Sequence, residues 1–117
     1  MPKEVADTEW LYRRGYPTKK YMNPDGSATS RTFALRAKDE GRLSVDAASM
    51  TNPLTSIGDA SRFALYEIQN LAIIRLGLST FHEPLPTNPA HAVIIGMNID
   101  DEIIPGRLAR ASRRVFL

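Results

Sequence analysis

Arg13, Ser30, Lys38, Asp39, Ser44 and His91 are the residues of this sequence whose types suit a polar binding or catalytic site. A guanidinium grips phosphate or carboxylate through forked N–H donors, and a nearby serine or histidine can donate, accept or relay a proton. Arg13 and Arg14 end an aromatic run, Ser30 sits in the cluster Thr29-Ser30-Arg31-Thr32, and His91 opens an apolar run. A turn at Gly41 needs the glycine, yet it needs neither the Lys38-Asp39 pair before it nor Ser44 just after it. If the His91 segment pairs beside the Ser44 segment, Lys38, Asp39, Ser44 and His91 form one site. The purely structural alternative is that Asp39 caps the turn, Ser44 faces solvent, His91 bonds a backbone carbonyl, and Arg13 and Arg14 are a solvated strand end.

Other constellations carry less. Ser44, His91 and Asp100 supply the types of a nucleophilic trio, but no G-x-S-x-G elbow supports them. His82, Glu83 and His91 offer a loose metal option whose spacing matches no zinc signature, and the absence of cysteine removes thiolate ligands and nucleophiles. No metal and no cofactor is expected. The scattered glycines contain neither G-x-G-x-x-G nor G-x-x-x-x-G-K-[ST], which sets aside phosphate cradling by those loops. Arg107, Arg110 and Arg114 recur at helical spacing and make an exposed stripe that could track phosphates, meet an acidic partner, or simply solubilise a helix end.

Positioning these residues requires an α+β fold: a small, largely antiparallel sheet packed by two helices. Glu9 to Arg14 reads as a strand with Trp10 and Tyr12 on one side and Leu11 and Arg13 on the other. Tyr16 to Ser30 is a loop with a strong turn at Asn23-Pro24-Asp25-Gly26. Arg31 to Asp46 reads as a hairpin, Phe33 and Leu35 on one strand, Leu43 and Val45 on the next, with Lys38 to Gly41 as the turn. A helix is predicted from Ser56, capped by Ser56 and Asp59, with Ile57, Ala60, Ala64, Ile68 and Leu71 as its buried face. Leu71 to Leu76 is predicted as a strand, His82 to Pro89 as a proline-rich surface loop, and His91 to Gly96 as a strand. A final helix is predicted from about Ile103 to Val115, with Ile104, Leu108, Ala111 and Val115 buried.

A chain of 117 residues with 43% apolar composition fits one domain over residues 1–117, residues 1–8 being loose. A net charge of +2 is too small to establish nucleic-acid binding by itself. Without a signal-like or membrane-spanning apolar run, the chain reads as a soluble cytoplasmic protein without membrane association.

Arg14 and Pro17, Phe33, the run Lys38, Asp39, Leu43, Ser44, Val45, and the run His91, Ala92, Ile94 resemble the recurring features of a group of small bacterial proteins. Members of that group look like accessory genes of mobile elements and of defence or toxin-linked loci. The resemblance implies an accessory role and carries no activity with it. It also raises the weight of Lys38, Asp39, Ser44 and His91 as a binding or catalytic patch. Separately, Leu11 to Arg14 and Thr29 to Phe33 weakly resemble the start of ADP-ribosyltransferase-like domains. Those combine a first-strand Arg or His, a Ser/Thr motif and a downstream Glu, for which Glu67 and Glu102 are the options here.

Three functions follow as expectations. The leading one is a non-catalytic interaction module that binds a protein partner through the hairpin, the proline-rich loop and a surface of Arg14, Arg107, Arg110 and Arg114. The alternative is an enzyme acting on a nucleotide or nucleic acid, which requires Arg13, Ser30, Asp39 and His91 to converge in one cleft. Nucleic-acid binding through the terminal helix is a weaker third. Val93, Ile94 and Ile95 cannot all face one core, so a homo-oligomer is possible.

Overall fold

The computed structural model describes residues 3–116. Its strands are β1 (Lys3–Glu4), β2 (Trp10–Gly15), β3 (Leu43–Ala47), β4 (Ala64–Gln69), β5 (Ser79–His82), β6 (His91–Ile95) and β7 (Arg113–Arg114). They form one sheet in the order β1-β5-β6-β3-β2-β4-β7, every pairing antiparallel. Three short helices accompany it: α1 (Pro53–Ile57), α2 (Asn70–Arg75) and α3 (Ile104–Ala111). The architecture is α+β, as the sequence implies.

Strand alternation sorts the side chains between two faces. Leu11, Leu43, Val45, Tyr66, Ile68, Ala92 and Ile94 pack on one face with Phe33, with Ile73 of α2 and with Leu108 and Ala109 of α3. Tyr12 and Leu65 occupy the opposite face, where Ile57 of α1 and Phe63 cover part of it. The rest of that second face is open, and the site lies there. Val93 is buried within the single chain, 3% exposed, while Ile95 on the same side of β6 is half-buried. No helix among the described residues is long and apolar enough to cross a membrane.

Several elements differ from the sequence expectation. The first arm of the hairpin is absent: Ser30–Phe33 and Ala37–Asp39 are single turns of 3-10 helix, and β3 pairs with β2 and β6. Phe33, Leu35, Leu43 and Val45 are nevertheless all buried, because apolarity drives burial whatever backbone carries it. The turn chemistry at its tip holds, with Glu40 and Gly41 both left-handed at φ 53° and 78°. The helix expected from Ser56 and the strand expected from Leu71 exchange places. Ala64 and Ile68 lie four residues apart, a spacing that fits a helical face and equally one face of a strand. Six pairings to β2, from Trp10↔Gln69 to Gly15↔Ala64, decide for the strand. Helix α1 starts earlier than expected, where Asn52 accepts from the Thr55 N–H and Pro53 opens the first turn.

At the C-terminus α3 stops at Ala111 rather than Val115. The Ser112 hydroxyl donates to the Ala109 carbonyl, and the chain leaves in extended form to pair with β4 as β7. Ala111 is exposed as a result, and Ala109 takes its place in the core. The loose start expected for residues 1–8 is also partly ordered: β1 pairs with β5, and buried Asn70 donates to the Val5 and Ala6 carbonyls. Met1 and Pro2 lie outside the described residues.

Candidate functional site

Strands β2 and β3 pair only at Leu11↔Ala47 and Tyr12↔Asp46. Beyond that register the Ser44 carbonyl has no β2 partner, and the side chain of Arg13 takes it instead, Nη1 donating at 2.8 Å while Nε donates to the Thr32 carbonyl at 2.9 Å. The guanidinium thus bridges the opening where the two strands part. The opening is a cleft of about 960 Å³ floored by Tyr12, Ser44, Asp46 and His91 and walled by residues of the 16–21 and 31–38 segments, α1 and the 85–88 loop.

Charge in this cleft is one-sided. Arg13, Arg14, Lys20, Arg31, Arg36 and Lys38 line it, against the Asp46 carboxylate alone among the described residues. That carboxylate is already engaged, Oδ2 accepting from Ser56 Oγ at 2.6 Å and Oδ1 from Asn88 Nδ2 at 2.8 Å. Arg13 has carbonyl partners and, among the described residues, no carboxylate at ion-pair distance. Burial disfavours its charged form and pulls its pKa down to about 10, with the Asp39 charge opposing the shift. A cation held this way lacks a counter-charge that a bound anion would supply.

The same lining carries an aromatic rim. Tyr16 meets Tyr21 edge-on at 5.1 Å and Phe63 at 5.6 Å, and the Arg14 guanidinium lies over the Phe63 ring at 4.8 Å. An arginine stacked on an aromatic keeps its edge N–H groups free for a ligand.

On the floor, the β3–β6 register of Ser44↔Val93 and Asp46↔His91 sets His91 diagonally across from Ser44 on the same face. His91 Nε2 lies 3.2 Å from Ser44 Oγ, and Nδ1 lies 2.8 Å from the Glu83 carbonyl. Because a carbonyl can only accept, Nδ1 carries the proton and Nε2 presents a lone pair to the Ser44 hydroxyl, which donates to it. Burial lowers the His91 pKa, Asp46 opposes that shift, and the Arg42 and His82 charges add to it.

The structure therefore brings Arg13, Lys38, Ser44 and His91 to one cleft and leaves Ser30 and Asp39 off its lining. Asp39 accepts from the Arg36 N–H and closes its turn, while Ser30 opens a 3-10 turn that packs against α3. Glu67 pairs with Arg113 on the β4–β7 edge, and Glu102 is exposed, so neither glutamate lines the cleft. Asp100 is likewise off the lining, and the carboxylate nearest His91 in register is Asp46. His82 Nε2 donates to the Pro89 carbonyl, and no group of three or more His, Asp or Glu among the described residues could hold a metal ion.

The expected arginine surface is divided. Arg14 belongs to the cleft, Arg107 and Arg110 are exposed on α3, and Arg114 leaves the helix for β7 and turns toward Met22. Asp46, Arg31, Arg36 and the aromatic rim were not singled out by the sequence. Only Asp46 had a usable signal there, since Ser44 and Asp46 alternate with Leu43 and Val45 and must share a face. No protein-family model, curated protein or solved structure matches the chain.

Proposed function

We propose that the protein is an enzyme acting on a nucleotide-class, phosphate-bearing substrate bound in this cleft. The observation that carries the reading is Arg13: a partly buried guanidinium, bonded only to carbonyls, on the lining shared by Lys38, Ser44 and His91. Phosphate oxygens complement such a group through charge-assisted hydrogen bonds. The Tyr16, Tyr21 and Phe63 rim with stacked Arg14 favours a ligand with a planar base over a bare anion. His91 is the proton acceptor. The reading departs from an ADP-ribosyltransferase-like site because neither candidate glutamate lies on the lining. A cysteine-free chain suits the cytoplasm, where this reading places it.

Calorimetric titration with ADP, inorganic pyrophosphate and adenosine tests it. ADP is expected to bind tighter than pyrophosphate and much tighter than adenosine, and Arg13→Gln to weaken ADP by about 1.5–3 kcal/mol, the worth of a hydrogen bond to a charged group. Absence of binding by both ADP and pyrophosphate would overturn the reading.

A second reading, a protein-interaction module in an accessory role, is favoured by Ile99 and Ile103, 54% and 64% exposed, near the exposed Arg107 and Arg110. It requires that a stoichiometric partner retained at high salt be lost on Ile103→Asp with the fold intact.

A further inference from the structure

We propose that Ser44 is a nucleophile activated by His91, so that the cleft transfers a phosphoryl group through a phosphoserine. This deepens the proposed function and rests on the cleft receiving a phosphate-bearing substrate. Three features distinguish the pair from an incidental cross-strand contact.

The first is direction. The Glu83 carbonyl, 2.8 Å from His91 Nδ1, holds the imidazole in the tautomer whose Nε2 accepts the Ser44 proton, and this is the orientation a general base requires. That carbonyl is itself held, because the Glu83 N–H donates to the His91 carbonyl at 2.9 Å and extends the β5–β6 ladder. The neutral imidazole that such a base needs is favoured by the partial burial of its ring. The second is access. Ser44 is exposed on the floor, whereas the other serine on the lining, Ser56, is buried and gives its hydroxyl proton to Asp46. The third is charge. Arg13 donates to the carbonyl of Ser44 itself, which fixes a guanidinium beside the residue where negative charge would develop.

In the first half-reaction the Ser44 O–H bond breaks and its proton passes to His91 Nε2. The Oγ–P bond forms as the bond from phosphorus to the leaving oxygen breaks, and that oxygen recovers the proton from Nε2. In the second, His91 takes a proton from water, the hydroxide attacks phosphorus, Oγ leaves and is reprotonated, and phosphate is released. Water is the only co-reactant.

An organofluorophosphate, diisopropyl fluorophosphate, tests the dyad without knowledge of the natural substrate, since Oγ–P bond formation there expels fluoride. The full chain is expected to acquire one adduct, located on Ser44 by peptide mass spectrometry. The adduct is lost in Ser44→Ala, and in His91→Gln it forms slower by about a hundredfold or more. Thermal melts of both variants check that they remain folded, and Ser44, being exposed, tolerates truncation. No adduct on Ser44, an adduct at another residue alone, or a labelling rate unchanged by His91→Gln would overturn the proposal. Labelling of Ser44 in a protein that binds neither ADP nor pyrophosphate would keep the nucleophile and remove the nucleotide reading. ADP binding without labelling would do the reverse.

Discussion

At the residue scale, the polar groups of this protein divide by what their partners leave over. Asn70 leaves nothing: it is 1% exposed, its amide donates to the Val5 and Ala6 carbonyls, and its Oδ1 accepts from buried Thr80 Oγ1 at 2.7 Å. Truncating it orphans the buried Thr80 hydroxyl and takes the Asn70 donor from the Val5 carbonyl, while the Ala6 carbonyl keeps the Glu9 N–H, so Asn70→Ala is expected to lose about 1–3 kcal/mol in urea unfolding. Arg13, by contrast, is held by carbonyls that leave its charge unpaired, and His91 by a carbonyl that fixes its tautomer. For His91 the pH dependence has a definite sign. Its folded pKa lies below the ordinary 6.5, because burial disfavours the imidazolium more than Asp46 favours it, with Arg42 and His82 adding to the depression. The folded state therefore binds fewer protons than the unfolded state as pH falls toward the folded pKa, and the stability due to neutral His91 is lost over that range. An NMR titration of the His91 ring is expected to give a midpoint below 6.5. Ser44 labelling should follow the same curve, complete above it and lost below.

At the element scale, β2 sets the site, since it pairs fully with β4 and only briefly with β3 before the sheet parts. Its last residue, Gly15, is where the 3-10 turn of residues 30–33 comes closest. A Cβ there would lie 2.9 Å from Thr32 Oγ1, 3.1 Å from Thr32 Cγ2 and 3.2 Å from Tyr66 Cε2. Thr32 cannot rotate away freely, because its hydroxyl donates to the Tyr21 carbonyl at 2.9 Å and its carbonyl receives Arg13. Gly15→Ala is expected to destabilise by about 1–3 kcal/mol, the range for overpacking a filled site. Adding Thr32→Ala, which removes the two closest contacts, should recover part of that loss, and a double-mutant cycle in chemical denaturation measures the coupling.

At the scale of the whole molecule, a net charge of +2 conceals a strong local asymmetry. Cations are gathered on the cleft lining, while carboxylates such as Glu67, Asp100 and Glu102 lie off it. Clustered charge of one sign focuses a field on the bound anion, and salt screens it over a Debye length of about 8 Å at physiological ionic strength. The affinity for ADP is therefore expected to fall steadily as sodium chloride rises, with that for pyrophosphate falling in parallel and any adenosine binding nearly unchanged. An ADP affinity indifferent to salt would place the ligand away from this lining.

Local chemistry in the sequence determined which segments are buried, where β2 and β6 run, the turn at Gly41 and the α+β class. Side-chain apolarity, period-two alternation and left-handed turn preference all act over a few residues. The exchange of helix and strand between Ser56 and Leu76 was not legible, because an even spacing of four residues satisfies both periods and only pairing with β2 separates them. The conversion of the Arg31–Leu35 arm from strand to 3-10 turn depends on Thr32 bonding across to Tyr21 and Arg13. The site followed the same division. Arg13, Lys38, Ser44 and His91 were visible as residue types. That they share a cleft while Ser30 and Asp39 do not was decided by strand register and by the parting of β2 from β3, which are contacts between residues far apart in the chain.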